Sequence, residues 1–200
     1  KDWYEKGDKK ITGEEAIHPT GNNKRNYFIS GYVDSYNIIN SLNFPYDKKI
    51  LEYGCGNGRI LKHLKSFDIY GVDIIEDWVK ECKELNLNVE LLENFNIKVD
   101  IVYSFTVFIH LKKNETRKAL KYINEKLVIG GLAYIQVPIY ESNRTGCSFI
   151  DINTFDEKTF KKFIEEEGFE IVELFTNKGN FEYNNFGKNH DKLQIIKKKI

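Results

Sequence analysis

Three glycines at alternating positions follow an apolar segment and precede a helical pattern; they are Gly54, Gly56 and Gly58. Gly54 permits a tight turn, and Gly56 allows a ligand to approach the backbone where a Cβ would clash. Gly58 allows close packing where the chain enters the next helix. The spacing predicts a ligand cleft above the end of a strand, and the alternative is a purely structural turn.

The position after Gly58 decides which ligands the loop fits. A dinucleotide-binding loop has its third glycine three residues after the second, and Arg59 holds that position here. A phosphate-binding loop has lysine followed by serine or threonine after its glycines, and neither follows Gly58. Both nucleotide-phosphate interpretations, including a nicotinamide-dependent oxidoreductase, are therefore disfavoured.

Asp73 ends the next apolar segment, directly after Gly71 and Val72. A carboxylate at this point can accept hydrogen bonds from both hydroxyls of a ribose that lies across neighbouring strand ends. The alternative is that Asp73 caps the helix that follows it. Together with the glycine loop, Asp73 indicates a site for a ligand that contains ribose.

The elements that must position these residues alternate between short β-branched or aromatic segments and helical patterns. This alternation predicts repeated βαβ units and a parallel sheet. The predicted strands are 49–53, 69–72, 89–92, 100–105, 132–137, 170–175 and 192–198. The predicted helices are 59–66, 76–85, 114–128 and 157–167, in which apolar residues recur at three- and four-residue spacing.

Helix ends carry their own signals. Asp156 is expected to cap the helix over 157–167, and Gly168 is expected to end it. The pair Gly130-Gly131 is expected to end the helix before the fifth strand.

The link between the third and fourth predicted strands, 93–99, is shorter than a usual parallel crossover. Such a link must cover roughly 22 Å, and this segment reaches about 24 Å when fully extended. We therefore predict that the crossover helix at this point is missing or reduced to one turn.

The length of 200 residues fits one domain. An amphipathic helix is predicted over 24–42, before the first strand. We interpret 1–48 as an N-terminal helical cap and 49–200 as the core of a single domain over 1–200.

Composition excludes several classes of partner. Thirty basic residues balance thirty acidic ones, so no overall positive field favours nucleic acid. No apolar segment is long enough to span a bilayer, so no membrane association is expected. The three cysteines lack metal-ligand spacing and the density of a disulfide scaffold, which predicts no metal site and a cytoplasmic location.

The segment from Glu52 to Arg59 resembles the class I S-adenosylmethionine-dependent methyltransferases, and closely their small-molecule branch of type 11 and type 25 domains. The family pattern there is an acidic residue, an aromatic residue, and Gly-Cys-Gly-x-Gly-Arg. The resemblance continues through 71–73, 100–105 and 127–138, and it covers about 27–138.

This resemblance implies an α/β, Rossmann-like three-layer sandwich, with a seven-stranded, mostly parallel sheet and an antiparallel last strand. It also implies that S-adenosylmethionine lies across the ends of the first, second and fourth strands. Asp73 would bind its ribose, Ile74 would pack against adenine, and the position after the third strand is left between Asn94 and Phe95. The residues implied to bind the cofactor are Glu52, Gly54, Cys55, Gly56, Gly58, Asp73, Ile74, Asn94, Phe95, Ser104 and Phe105.

His110 is the candidate general base, because it follows the fourth strand, where a catalytic face is expected. The alternative is a packing or capping residue before the next helix. His63 is expected on the surface. Cys55 is expected to be a small packing residue and not a nucleophile, because no base or cation is placed to activate it.

The acceptor is expected to be a small molecule methylated on oxygen or nitrogen, because the fourth strand lacks the prolines of the base-modifying amino-methyltransferases. Two segments are expected to act as lids: the long loop 138–155 on the acceptor side, and the N-terminal cap over the cofactor. The lid residues are His18, Tyr27, Phe28, Tyr140 and Arg144. The alternative function is a catalytically silent relative that binds the cofactor or a protein partner, and the oligomeric state stays open.

Overall fold

The computed structural model of the protein describes residues 23–42, 45–139, 153–176 and 191–199. The chain divides into two compact units, Lys1–Phe95 and Asn96–Ile200. The assignment of 1–200 to a single domain stays a prediction.

The described part of the first unit contains two helices and three strands. They are α1 (Lys24–Leu42), β1 (Ile50–Tyr53), β2 (Ile69–Asp73), α2 (Glu76–Glu84) and β3 (Val89–Leu91). β1 pairs with β2 and β2 pairs with β3, both in parallel. All four residues of β1 are buried, as expected for a strand that lies inside a parallel sheet.

The second unit contains the remaining described elements. They are β4 (Val99–Ser104), α3 (Lys113–Lys126), β5 (Leu127–Pro138), α4 (Glu157–Glu166), β6 (Phe169–Thr176) and β7 (Asp191–Lys198). β4 and β5 are parallel, whereas β7 is antiparallel to both β5 and β6.

The strand order is β3-β2-β1 in the first unit and β4-β5-β7-β6 in the second. The predicted α/β fold class and the antiparallel last strand are therefore confirmed. The helix predicted over 24–42 has the same bounds as α1. Asp156 caps α4, because its Oδ1 accepts a 2.8 Å hydrogen bond from the amide of Thr159. Gly168 follows α4 with a φ of +82°.

The helix predicted over 59–66 is wrong in extent. Only Leu61–His63 forms a short 3₁₀ turn, in which the amides of His63 and Leu64 bond to the carbonyls of Ile60 and Leu61. The preceding residue Arg59 is buried and bonded to α1. Tertiary contacts therefore override the helical pattern of this segment.

The predicted role of Gly130-Gly131 as a helix end is also wrong. α3 ends at Lys126, and Leu127 already has extended φ and ψ angles of −71° and 145°. The diglycine lies inside β5, where the pairing with β4 shifts. A Cβ on Gly131 would lie 2.9 Å from the carbonyl oxygen of Asp100, so the absence of a side chain permits this irregular pairing.

The link between β3 and β4 has no helix, which confirms the prediction for 93–99. Residues 92–94 form a turn, and 95–98 have no regular structure. The amide of Asn94 bonds to the carbonyl of Leu91 at 2.9 Å and closes that turn.

Candidate cofactor site

The glycine loop connects β1 to the 3₁₀ turn at Leu61–His63 and contains three left-handed residues. Gly54, Gly56 and Gly58 have φ angles of +76°, +53° and +75°. A residue with a Cβ rarely adopts these angles, so the sequence pattern has a direct conformational cause. The amide of Gly54 donates to the carbonyl of Val72 at 2.8 Å, which ties the loop to β2.

Gly58 is a packing glycine. A Cβ at this position would lie 2.5 Å from Cδ1 of Leu87 and 3.2 Å from Sγ of Cys82. The predicted close packing at Gly58 therefore involves the end of α2 and the residues that follow it. Its implied contact with the cofactor stays a prediction.

Asp73 holds the centre of the glycine loop. Its Oδ2 accepts a 2.8 Å hydrogen bond from the amide of Gly56, and its Oδ1 accepts a 3.0 Å hydrogen bond from the amide of Ile75. The N-cap residue of α2 is Ile75, so Asp73 does not occupy the capping position. An ionised carboxylate has about four acceptor positions, so the bonds from Gly56, Ile75 and Ile74 leave capacity for a ribose hydroxyl.

Burial raises the pKa of Asp73, and the hydrogen bonds from Ile75, Gly56 and Ile74 oppose that rise. The carboxylate is thus desolvated while its charge is compensated mainly by backbone amides. A buried, partly compensated acceptor of this kind suits neutral hydroxyl donors.

Two thiols approach the carbonyl oxygen of Gly56. Sγ of Cys55 lies 3.6 Å from it and Sγ of Cys82 lies 3.5 Å from it. Two main effects raise the pKa of Cys55: the hydrogen bond with Cys82, which is the larger, and burial. A buried thiol with a raised pKa is a packing group and a poor nucleophile, in agreement with the expectation for Cys55.

Other residues implied to bind the cofactor differ in exposure. Ile74 is 47% exposed, and Asn94 is also exposed. Phe95 is only 3% exposed, and its ring centroid lies 5.8 Å from that of Tyr70. Glu52 is buried within β1. Between the two residues considered for the position after the third strand, the exposed Asn94 is therefore better placed to meet a ligand than the buried Phe95.

Helix α1 contacts the glycine loop through polar side chains, of which the sequence analysis named only Tyr27, as a lid residue, and Arg59, as the end of the glycine pattern. The hydroxyl of Tyr27 donates to Oδ1 of Asn57 at 2.6 Å, and both residues are buried. Arg59 pairs with Asp34, with 2.5 Å between Nη1 and Oδ2. The only signal in the sequence is that Arg59 and Asp34 carry opposite charges. Their spacing does not indicate that they pair.

The expectation that His63 lies on the surface is wrong. Its ring is partly buried and makes edge contacts with Phe28 and Tyr32, at centroid distances of 4.8 Å and 5.8 Å. Burial, and then the positive charges of Lys62 and Arg59, lower the pKa of His63. Phe28 itself is exposed.

In the second unit, Ser104 and Phe105 are buried at the end of β4. The next residue, Thr106, has a φ of +58°, which is rare for a residue with a branched Cβ. The amide of Thr106 donates to Oε1 of Gln136 at 2.8 Å. Gln136 is 5% exposed, and within the described residues no group accepts a hydrogen bond from its Nε2.

His110 ends the short 3₁₀ turn Phe108–His110 that follows β4. Burial lowers the pKa of His110 to about 4. The imidazole is therefore neutral at physiological pH, which is the form that can accept a proton.

Three predicted lid residues, His18, Tyr140 and Arg144, lie outside the described residues. Among the described residues, no group of three or more histidine, cysteine, aspartate or glutamate side chains could hold a metal ion. No helix within the described ranges has the length and apolar character needed to cross a membrane.

A family of methyltransferase domains matches residues 37–174 of the chain. The curated protein "Putative methyltransferase 235L" of Invertebrate iridescent virus 6 is 28% identical over 122 residues, which cover 56% of this chain and 45% of that protein. The chain thus spans less than half the length of this relative.

Solved structures share the fold. An S-adenosylmethionine-dependent methyltransferase from Clostridium acetobutylicum ATCC 824 has a TM-score of 0.61 at 13% identity, with 86% of this chain and 92% of that chain covered. The glycopeptide N-methyltransferase MtfA, solved with sinefungin, has a TM-score of 0.62 at 10% identity, with 85% and 94% covered.

The loop geometry fits a cofactor that carries ribose. Gly56 has no side chain at the centre of the loop, and Asp73 keeps acceptor capacity beside it. With residues 37–174 matched, the chain belongs to the methyltransferase domain family.

Proposed function

We propose that this chain transfers the methyl group of S-adenosylmethionine to an oxygen or nitrogen atom of a small molecule. The observation that carries the proposal is the hydrogen bond from the Gly56 amide to the buried carboxylate of Asp73. This bond joins the centre of the glycine loop to a carboxylate that can accept hydrogen bonds from ribose. A merely structural turn would not need a buried carboxylate at that point, because desolvating the charge has a cost.

The proposed cofactor contacts follow from the geometry. The remaining acceptor positions of Asp73 receive the ribose hydroxyls, and the exposed side chain of Ile74 offers apolar surface to adenine. Asn94, exposed in the turn after β3, offers an amide to the adenine edge. When bound, S-adenosylmethionine supplies a sulfonium methyl group that a nucleophile can attack in line.

Few groups of the protein need to take part in such a displacement, because orientation in a dry pocket supplies much of the rate. If the acceptor is a hydroxyl, we assign the proton-accepting role to His110, whose imidazole is neutral because burial lowers its pKa to about 4. Such a pKa makes His110 a weak base, so its contribution is expected to be modest.

The small-molecule assignment rests on charge and on the fourth strand. The chain has equal numbers of basic and acidic residues, so it has no overall field that attracts nucleic acid. The sequence Ser104-Phe105-Thr106-Val107 lacks the prolines of base-modifying enzymes. A cytoplasmic location agrees with the unbridged, buried thiols of Cys55 and Cys82.

We also propose that the segment before α1, with His18, and the loop 138–155, with Tyr140 and Arg144, cover the acceptor. Hydrogen exchange with and without S-adenosylhomocysteine tests the N-terminal part. Slower exchange of residues 10–30 in the bound state is expected. Equal exchange in both states would contradict a role of this segment in closure.

Calorimetry and labelling test the function itself. Titration with S-adenosylhomocysteine should give saturable binding, whereas titration with NAD should give none. Incubation with S-adenosylmethionine carrying a labelled methyl group and fractionated metabolite pools should then label one small-molecule fraction. Binding without labelling in any fraction would favour the catalytically silent relative, and NAD binding would favour an oxidoreductase.

A further inference from the structure

Arg59 is a buried cation at the end of the glycine loop. Its side chain is 3% exposed, and that of its partner Asp34 in α1 is 14% exposed. Nη1 of Arg59 also donates to Oγ of Ser30 at 3.2 Å. Burying a guanidinium is costly unless it is paired, and removal of one partner leaves an uncompensated charge. The pair therefore strongly favours one position of α1 on the loop.

A second polar contact lies one turn earlier on the same helix face. The hydroxyl of Tyr27 donates to Oδ1 of Asn57 at 2.6 Å. Tyr27, Ser30 and Asp34 are three and four residues apart, which is the spacing of one helix face. The loop contributes Asn57 and Arg59, which are the residues on either side of Gly58.

The backbone of α1 also approaches the loop directly on this face. A Cβ on Gly31 would lie 2.3 Å from the carbonyl oxygen of Arg59, so only glycine permits the contact. Another face of α1 carries partly exposed large apolar side chains, of which Phe28 and Tyr32 also contact His63; the residues are Phe28, Ile29, Tyr32, Val33 and Tyr36. The helix thus meets the loop through directional polar bonds, which fix its register more tightly than apolar packing.

The same loop is held from its other side by Asp73. The Gly56 amide is bonded to Asp73, and the next residues, Asn57 and Arg59, are bonded to α1. Any shift of α1 along its axis therefore displaces residues adjacent to Gly56. Docking of α1 and the shape of the cofactor loop cannot vary independently.

We propose that Arg59 and Asp34, supported by Tyr27 and Asn57, form a clamp that makes α1 part of the cofactor-binding apparatus. Arg59 and Asp34 are positioning residues that hold the loop in the form that binds the cofactor. By linkage, cofactor binding must then stabilise the docked position of α1. The proposal rests on the assignment of the glycine loop and Asp73 to the cofactor.

The experiment uses the full chain, with Arg59→Met, Asp34→Asn and the double variant. Each is titrated with S-adenosylhomocysteine after circular dichroism has shown that it is folded. Because the apparent dissociation constant rises as the binding-competent fraction falls, each single variant should bind about tenfold more weakly. The double variant should show no further loss of affinity beyond that of the weaker-binding single variant, because the two residues act as one unit.

Two further variants keep the test decisive. Arg117→Met removes an exposed arginine that pairs with Glu166 and Glu167 at 3.2 Å and 2.9 Å, and it should leave the affinity unchanged. Tyr27→Phe removes a single hydroxyl and serves if the charge variants fail to fold; it should weaken binding in the same direction. Hydrogen exchange should show that S-adenosylhomocysteine slows the amides of 24–42 in the unchanged protein.

Folded clamp variants that unfold at lower temperature but bind S-adenosylhomocysteine with unchanged affinity would overturn the proposal, because the clamp would then be only structural. Unaltered exchange of 24–42 on binding would overturn it as well. Failure of the unchanged protein to bind S-adenosylhomocysteine would instead contradict the cofactor assignment, and the inference would fall with it.

Discussion

The amide of Gly56 and the carboxylate of Asp73 are joined by a 2.8 Å hydrogen bond between the glycine loop and the end of β2. The two residues were identified from separate patterns, one as a point of ligand approach and the other as a ribose acceptor. Their bond shows that Asp73, the proposed ribose acceptor, also supports the loop. Loss of Asp73 is therefore expected to affect both the ligand and the shape of its binding loop.

The first prediction concerns Asp73→Ala. Removal of the carboxylate should weaken S-adenosylhomocysteine binding by about 1.5 to 3 kcal/mol, the scale of charge-assisted hydrogen bonds, because the ribose hydroxyls lose their acceptor. Titration calorimetry measures the change. The matched control is Asp77→Ala, which removes an exposed aspartate in the first turn of α2 and should leave the affinity as it was. A loss of thermal stability with undiminished affinity would show that Asp73 supports only the loop.

The second prediction separates side-chain packing from backbone strain at Gly58. Gly58→Ala should lower the free energy of unfolding by about 1 to 3 kcal/mol, because the new Cβ would lie 2.5 Å from Cδ1 of Leu87 and at a φ of +75°. Urea denaturation measures the change. A Leu87→Ala background removes the closer of the two steric contacts and leaves the one with Cys82, so the same substitution should cost less there. An equal cost in both backgrounds would assign the whole effect to backbone strain.

The third prediction concerns pH. The unfolded chain binds more protons than the folded chain at pH values between the ordinary histidine pKa of 6.5 and the lowered pKa of His110, about 4. The stability that neutral His110 contributes is therefore fully present above pH 6.5 and is lost as the pH falls through 4. The free energy of unfolding should decrease over this range by up to about 3 kcal/mol.

The variant His110→Gln isolates that contribution. It should show a flatter pH dependence between 6.5 and 4 than the unchanged protein, as measured by urea denaturation at a series of pH values. The pH dependence of His63→Gln is measured for comparison. Burial also lowers the pKa of His63, but this side chain lies in the other unit. If His110→Gln keeps the full slope, the low pKa of His110 is contradicted.

Much of the fold follows from periodicity and end signals, and particular elements show why. α1 was predicted with its observed bounds because apolar and aromatic residues recur along the whole of Lys24–Leu42. The capping bond of Asp156 was predicted because both partners lie within four residues. The helix over 59–66 failed because Arg59 is drawn into a pair with Asp34, and no local pattern reports a partner twenty-five residues away.

In the candidate site, residues with a local role could be predicted from the sequence, whereas residues whose role depends on a distant partner could not. Gly54, Gly56 and Asp73 were found because each position requires one residue type for a local geometric or chemical reason. Asn57 and Gln136 were missed because amides are common in this chain and gain a role only from a distant partner. Their contacts, to Tyr27 and to Thr106, join segments thirty residues apart in sequence.

The last prediction concerns Gln136 and Thr106. Thr106 is held at a φ of +58° while its amide donates to Oε1 of the buried Gln136. Gln136→Leu leaves that amide without its acceptor and should lower the free energy of unfolding by about 1 to 3 kcal/mol. Thr106→Gly removes the cost of the left-handed conformation, about 1 kcal/mol. This gain should offset at least part of the free energy of unfolding that is lost with the threonine side chain.

The double variant tests whether Gln136 maintains the turn that follows β4. If the hydrogen bond is what holds Thr106 in the left-handed region, Gln136→Leu should destabilise the Thr106→Gly background less than it destabilises the unchanged protein, because glycine adopts this φ without support. Urea denaturation of the four proteins gives the coupling energy directly. Strictly additive effects would mean that the hydrogen bond does not hold Thr106 in the left-handed region, and that this conformation is set by the surrounding backbone.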